Sequence, residues 1–122
     1  MKRSIFNLPY PPTVNTYYRS LGRGKVRISE KGREYRKKVS DAVLEQRVPR
    51  YDGLVVVELA VTFPDRIKRD LDNLLKAVLD SLQKAKTITD DANVKDLRIW
   101  SMNDVEKPGK VVCDIREWRG GQ

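Results

Sequence analysis

Leu71, Leu74, Leu75, Val78, Leu79 and Leu82 recur at intervals of three and four, and no other stretch of this chain limits its folding so tightly. At about 100° per residue the spacing gathers them on one side of a helix spanning 70 to about 84, a side that has to be buried. The same arithmetic puts Asp72, Asn73, Lys76 and Asp80 on the opposite, accessible side, with Asp70 at the helix start leaning towards them. The run Arg69-Asp70-Leu71-Asp72-Asn73-Leu74-Leu75-Lys76 therefore concentrates acid and base on one surface. A chain reversal after Ala85 would bring a second acidic pair, Asp90-Asp91, back towards it.

Two readings of these acids stand side by side. In the first, Asp70 is an N-cap whose carboxylate accepts free first-turn N–H groups, Asp72 favours the positive end of the macrodipole, and Asp90-Asp91 is a turn. In the second, Asp70, Asp72 and Asp91 are oxygen donors for a hard divalent cation such as Mg²⁺, which is usually held by a few carboxylates and takes phosphate oxygens as further ligands. Such a cation acidifies water for in-line attack on phosphorus. Clustered carboxylates repel one another without a cation, so the second reading expects metal to stabilise the protein. Lys76 divides the same way, between an i, i+4 pair with Asp72 and neutralising charge on a scissile phosphate.

What the chain lacks narrows the chemistry. It has no histidine, which removes the usual general base, the Ser/His and Cys/His nucleophile pairs and every His-containing zinc site. The single cysteine, Cys113, lies in the strand-like Val111-Val112-Cys113-Asp114-Ile115 and reads as a packed core thiol. At 122 residues the chain is expected to form one domain over 1–122, with one modest core. Its 25 Lys and Arg outnumber 17 Asp and Glu, a formal charge of +8 that favours a polyanionic partner, nucleic acid before an acidic membrane. No apolar run approaches the roughly 20 residues that cross a bilayer, and no signal-peptide pattern opens the chain, so a soluble, cytoplasmic protein is expected.

The remaining pattern is that of a small mixed α/β domain of the α+β type. Residues 5–8 read as a short strand stopped by Pro9, Pro11 and Pro12. A flexible basic loop is expected over 17–27, carrying Arg19, Arg23, Lys25 and Arg27 around Gly22 and Gly24, with solvation and phosphate contact both open. Ser29 suits the N-cap of a helix to about 46, buried along Tyr35, Val39, Ala42 and Val43. Its other face, Lys31, Arg33, Arg36, Lys37 and Lys38, is either a solvated surface or a backbone-binding ridge. Residues 54–63 form a strand with Val55, Val57, Leu59, Val61 and Phe63 on one face. A basic run, Arg66, Lys68 and Arg69, leads into the acidic helix. Residues 94–100 and 110–117 are expected to pair as a hairpin.

At these residues a family likeness emerges. The run 69–76, with Asp80-Ser81-Leu82 and Asp90-Asp91-Ala92-Asn93-Val94, resembles the RusA family of Holliday junction resolvases. Leu8-Pro9-Tyr10-Pro11-Pro12-Thr13-Val14-Asn15 with Tyr17-Tyr18-Arg19 matches as well, as does Lys31-Gly32-Arg33-Glu34-Tyr35-Arg36, so the resemblance covers nearly the whole chain. It implies a mixed sheet packed on two main helices, and a metal-dependent endonuclease making paired symmetric nicks in four-way DNA junctions during recombination and repair, bacterial or phage-encoded. By position, it implies Asp70, Asp72 and Asp91 as catalytic ligands of Mg²⁺ or Mn²⁺, Lys76 as the assisting lysine, Asn73 as an orienting side chain, and Asp90 as an optional further ligand. It further implies a homodimer, whose two-fold symmetry suits two opposed nicks, and no nucleotide cofactor. The basic side chains Arg19, Arg23, Lys25, Arg27, Arg66, Lys68 and Arg69 are the expected DNA contacts. Against this enzyme stand a junction-binding module that does not cut, a less selective metal-dependent nuclease, and a phosphatase on a small substrate, which would gain little from so basic a surface.

Overall fold

The computed structural model describes residues 2–120. Four strands, β1 (Arg3–Pro9), β4 (Val55–Thr62), β5 (Val94–Ser101) and β6 (Lys110–Glu117), form one mixed sheet in the order β1-β6-β4-β5. β6 runs antiparallel to both β1 and β4, and β5 pairs parallel with β4. The period-two pattern decides the sheet's buried face: Val55, Val57, Leu59 and Val61 of β4 meet Val111, Cys113 and Ile115 of β6 and Phe6 and Leu8 of β1. Burial leaves Cys113 fully enclosed and pushes its thiol pKa up, which makes it a packing residue rather than a nucleophile.

Two helices cover that face. α2 (Glu30–Glu45) brings Tyr35, Val39 and Val43, and α3 (Asp72–Lys84) brings Leu74, Ala77, Val78 and Leu82 to the same core. Ser29 caps α2 as expected, its Oγ accepting from Gly32 N at 3.0 Å. Leu71, Leu75 and Leu79 are only partly buried at the edge of the cluster. The opposite sheet face carries ion pairs across the strands, with Glu58 joined to Arg116 at 2.9 Å and Arg3 to Asp114 at 2.7 Å.

Three expectations are corrected. Strands β5 and β6 do not pair with each other, because β4 lies between them and takes both as neighbours. Residues 17–27 are not a loop: a single helical turn, α1 (Val14–Tyr17), leads into an antiparallel ribbon of β2 (Tyr18–Gly22) and β3 (Lys25–Ile28), with Arg23 and Gly24 in the left-handed region at the turn. Asp70 does not cap α3. The helix begins at Asp72 after Leu71, without a side-chain cap, and Asp70 contributes its carbonyl, which accepts from Asn73 N at 3.3 Å.

Candidate active site

A reversal at the end of α3 brings the second acidic segment back against that helix. Lys86 adopts φ 62°, Lys86 N donates to Gln83 O and Thr87 N to Leu82 O, both at 3.0 Å, and this turn closes the helix and sends the chain back. Thr87 and Ile88 are buried, and Tyr51 N donates to Thr87 O at 2.8 Å, so the returning segment is fastened to the body. A 3₁₀ turn (Asp91–Asn93) follows, capped by Asp90, whose Oδ1 accepts from Ala92 N at 2.9 Å. Asp90 therefore has a structural role within its own turn.

Asp91 is held from α3 itself: its N–H donates to Gln83 Oε1 at 3.0 Å, and its carboxylate stands 3.8 Å from Lys76 Nζ. Lys76 thus faces Asp91 from the neighbouring segment rather than pairing with Asp72 one turn back. Sequence reasoning missed Gln83, whose signal was its place two turns beyond Lys76 on the same helix face. Asp72 is exposed in the first turn of α3, and Asp70 is exposed immediately before it, at the mouth of a cleft that Asn73, Lys68 and Arg69 also line. The carboxylates of Asp70 and Asp72 have no ion pair or hydrogen bond among the described residues, although basic side chains share the cleft. As these side chains stand, no three acids among the described residues come within reach of one cation. The donor chemistry nonetheless suits a hard cation: exposed carboxylate oxygens, no thiolate or imidazole nearby, and the ammonium of Lys76 already supplying positive charge beside Asp91.

Asp80 does not join this surface. It is half-buried between α2 and α3, where Arg36 Nη2 donates to Asp80 Oδ2 at 2.6 Å, Arg36 Nε to Tyr17 Oη at 2.7 Å, and Tyr17 Oη to Asp80. Burial raises the carboxyl pKa, but the hydrogen bond from Tyr17 and the charge and hydrogen bonds of Arg36 outweigh it and hold it below the ordinary value. The phenol is pushed up to about 12, by burial first and then by its bond to Asp80. Arg36 consequently leaves the solvated face expected of α2, because that face meets α3.

The expected DNA contacts fall into two groups. Arg19, Arg23, Lys25 and Arg27 are all exposed on the β2–β3 ribbon, with Arg19 directly opposite Arg27 across the strands. Like charges in that register are unfavourable unless a polyanion lies over them. Arg66 and Lys68 are exposed before α3, whereas Arg69 is half-buried and ion-paired with Asp65, Nη2 donating to Oδ2 at 3.1 Å.

Comparison with known proteins decides the lineage. Residues 9–116 match the family model described as endodeoxyribonuclease RusA. The chain belongs to the RusA family. It is 38% identical over 110 residues to the crossover junction endodeoxyribonuclease rusA of Enterobacteria phage HK97, covering 89% of each chain. It is 39% identical over 118 residues to the RusA of Escherichia coli strain K12, and 40% to that of Shigella sonnei, covering 96% of this chain and 97% of theirs. The RusA match spans both segments that bring Lys76 and Asp91 together.

Proposed function

We propose that this RusA-family protein is a Holliday junction resolvase, a divalent-metal-dependent endodeoxyribonuclease that makes paired symmetric nicks in four-way DNA junctions. The observation that carries the reading is the meeting of Lys76 and Asp91, 3.8 Å apart, the first on the helix that Asp70 and Asp72 open. Asp70, Asp72 and Asp91 would hold Mg²⁺, for which Mn²⁺ substitutes. When bound, the cation supplies Lewis acidity, acidifying water and stabilising charge on the phosphate. Lys76 holds positive charge against the same phosphate, a preorganised contribution whose removal typically costs about 10²- to 10³-fold in rate for a comparable charge-stabilising donor. Gln83 keeps Asp91 facing Lys76, and Asn73 lines the cleft beside Asp70. The ribbon and the Arg66 and Lys68 segment supply cations for the phosphate backbones.

A homodimer completes the reading, since two opposed nicks require two sites related by a two-fold. Its support is the sheet face away from the helices: a cavity of about 660 Å³ there is lined by Trp100, Met102 and Val112, with Trp100 and Met102 exposed, and β5 offers a free edge beside it.

The test is a labelled four-way junction beside a matched linear duplex, each with Mg²⁺ or EDTA. Paired nicks confined to the junction and dependent on metal are expected. Equal cutting of both substrates, or binding without cutting, would contradict the proposal.

A further inference from the structure

Two clefts meet at Thr13 and Arg69. The first, of about 500 Å³, opens on Lys68, Asp70 and Asn73 at the acidic end of α3. The second, of about 440 Å³, leads away from it between the proline segment and α2, past Thr16, Lys31, Glu34 and Lys38. The floor of the second cleft is rigid: Tyr35 Oη donates to Pro9 O at 2.8 Å, Pro11 is buried, and the Tyr10 ring meets Phe63 edge-on at 6.3 Å.

The charges along this path are disposed in a particular way. Lys31 and Lys38 lie seven residues apart, two helical turns on one face of α2, or ~10.5 Å along its axis. Elsewhere on α2, Arg36 pairs with Asp80 and Lys37 with Asp41, and Arg33 Nη1 donates to Ile28 O at 3.3 Å. Lys31 and Lys38 have no ion pair or hydrogen bond among the described residues, and Glu34 pairs with neither, although Glu34 and Lys38 stand at the favourable i, i+4 spacing. Opposite them, Thr13 Oγ1 donates to Thr16 Oγ1 at 3.2 Å, which leaves the Thr16 hydroxyl proton to donate to a phosphate.

We propose that the two clefts form one channel carrying the backbone of the DNA strand to be cut, with Lys31 and Lys38 holding its phosphates on one side of the nick and Glu34 moderating their grip. This rests on the nuclease reading of the acidic centre, and adds a strand path through the proline segment and α2 that is separate from the basic ribbon. Phosphate contacts of this kind fix register without reading sequence.

Two measurements test it, both in EDTA so that binding is read without cleavage. Junction affinity is titrated against KCl for the parent, the Lys31→Ala/Lys38→Ala double variant, Glu34→Gln, and an Arg50→Ala/Lys84→Ala double variant of equal charge loss that touches neither cleft. The channel predicts a roughly tenfold or greater loss for the first double variant, with the log–log salt slope reduced by about 1.8 for two phosphate contacts, tighter binding for Glu34→Gln, and little change for the distant pair. Equal losses for both double variants, or none for Lys31→Ala/Lys38→Ala, would overturn it. Thr16→Cys then takes a thiol-linked photocrosslinker selectively, since Cys113 is fully buried. Crosslinks at a fixed offset from the nick on the nicked strand support the channel, and crosslinks spread over other strands refute it. Failure of the parent to cut in Mg²⁺ would instead count against the nuclease reading, while the salt titrations would still decide whether Lys31 and Lys38 hold phosphates.

Discussion

A Cβ on Gly32 would meet the Tyr17 carbonyl oxygen closely and Ile28 Cγ1 at 2.6 Å, so the first turn of α2 sits against α1 and β3 with no room for a side chain. Gly32→Ala is expected to lower stability by about 1–3 kcal/mol through overpacking, read as a lower midpoint in thermal unfolding; an unchanged midpoint would show that the contact yields freely. At Lys76 the prediction concerns chemistry. Lys76→Met should reduce single-turnover cleavage by about 10²-fold, in the range found for loss of one preorganised charge-stabilising donor, with junction affinity changed far less. A loss confined to affinity would assign Lys76 to binding alone. At this scale residue types were readable and partners were not. Acids, amide and lysine in one run announced phosphate chemistry, but the partner of Lys76 lies on another segment, and nothing in helical spacing distinguishes Asp72 from Asp91. The same limit misled on Asp80, which the helical arithmetic exposes and the packing of α2 against α3 half-buries.

Between elements, the Tyr17–Arg36–Asp80 cluster fastens α1, α2 and α3 together. Asp80→Asn removes the charge that Arg36 and Tyr17 surround, and should destabilise by about 1.5–3 kcal/mol, the range for a hydrogen bond to a charged group. Its pH dependence has a definite sign. The folded-state pKa of Asp80 lies below its unfolded value near 3.9, so its contribution is full above that value and disappears as pH falls through the folded one. Urea midpoints of parent and Asp80→Asn should therefore differ at pH 7, with the difference shrinking as pH falls below about 3.9; a difference constant with pH would contradict the ion-pair origin. The elements themselves were legible in proportion to their periodicity. α3, α2 and β4 repeat strongly and formed close to the expected boundaries. The ribbon was read as a loop because its cations and glycines mask alternation, although Gly22-Arg23-Gly24 carried the turn signal. The β5–β6 pairing failed because nearness in sequence favours a hairpin, whereas β4, distant in sequence, outcompetes it by offering a buried face to both neighbours.

For the whole molecule, a net charge of +8 surrounds one acidic mouth, so the centre should respond to a divalent cation even in the absence of DNA. Mg²⁺ or Mn²⁺ should raise the thermal midpoint of the parent, by ~2.7 kcal/mol of added stability at a hundredfold excess over Kd, and should raise that of Asp72→Asn less; equal shifts in both would place the cation elsewhere. The central claim is that Asp70, Asp72 and Asp91 form one catalytic centre to which Asp90 does not belong. It is tested most directly by single-turnover cleavage of a four-way junction in Mg²⁺ by the four corresponding Asp→Asn variants, with junction affinity measured alongside in EDTA. Loss of cleavage at positions 70, 72 and 91, with binding retained or tightened, and substantial cleavage retained at 90 is the predicted result. Retained cleavage at any of the first three, or loss of junction binding in all of them, would contradict the account.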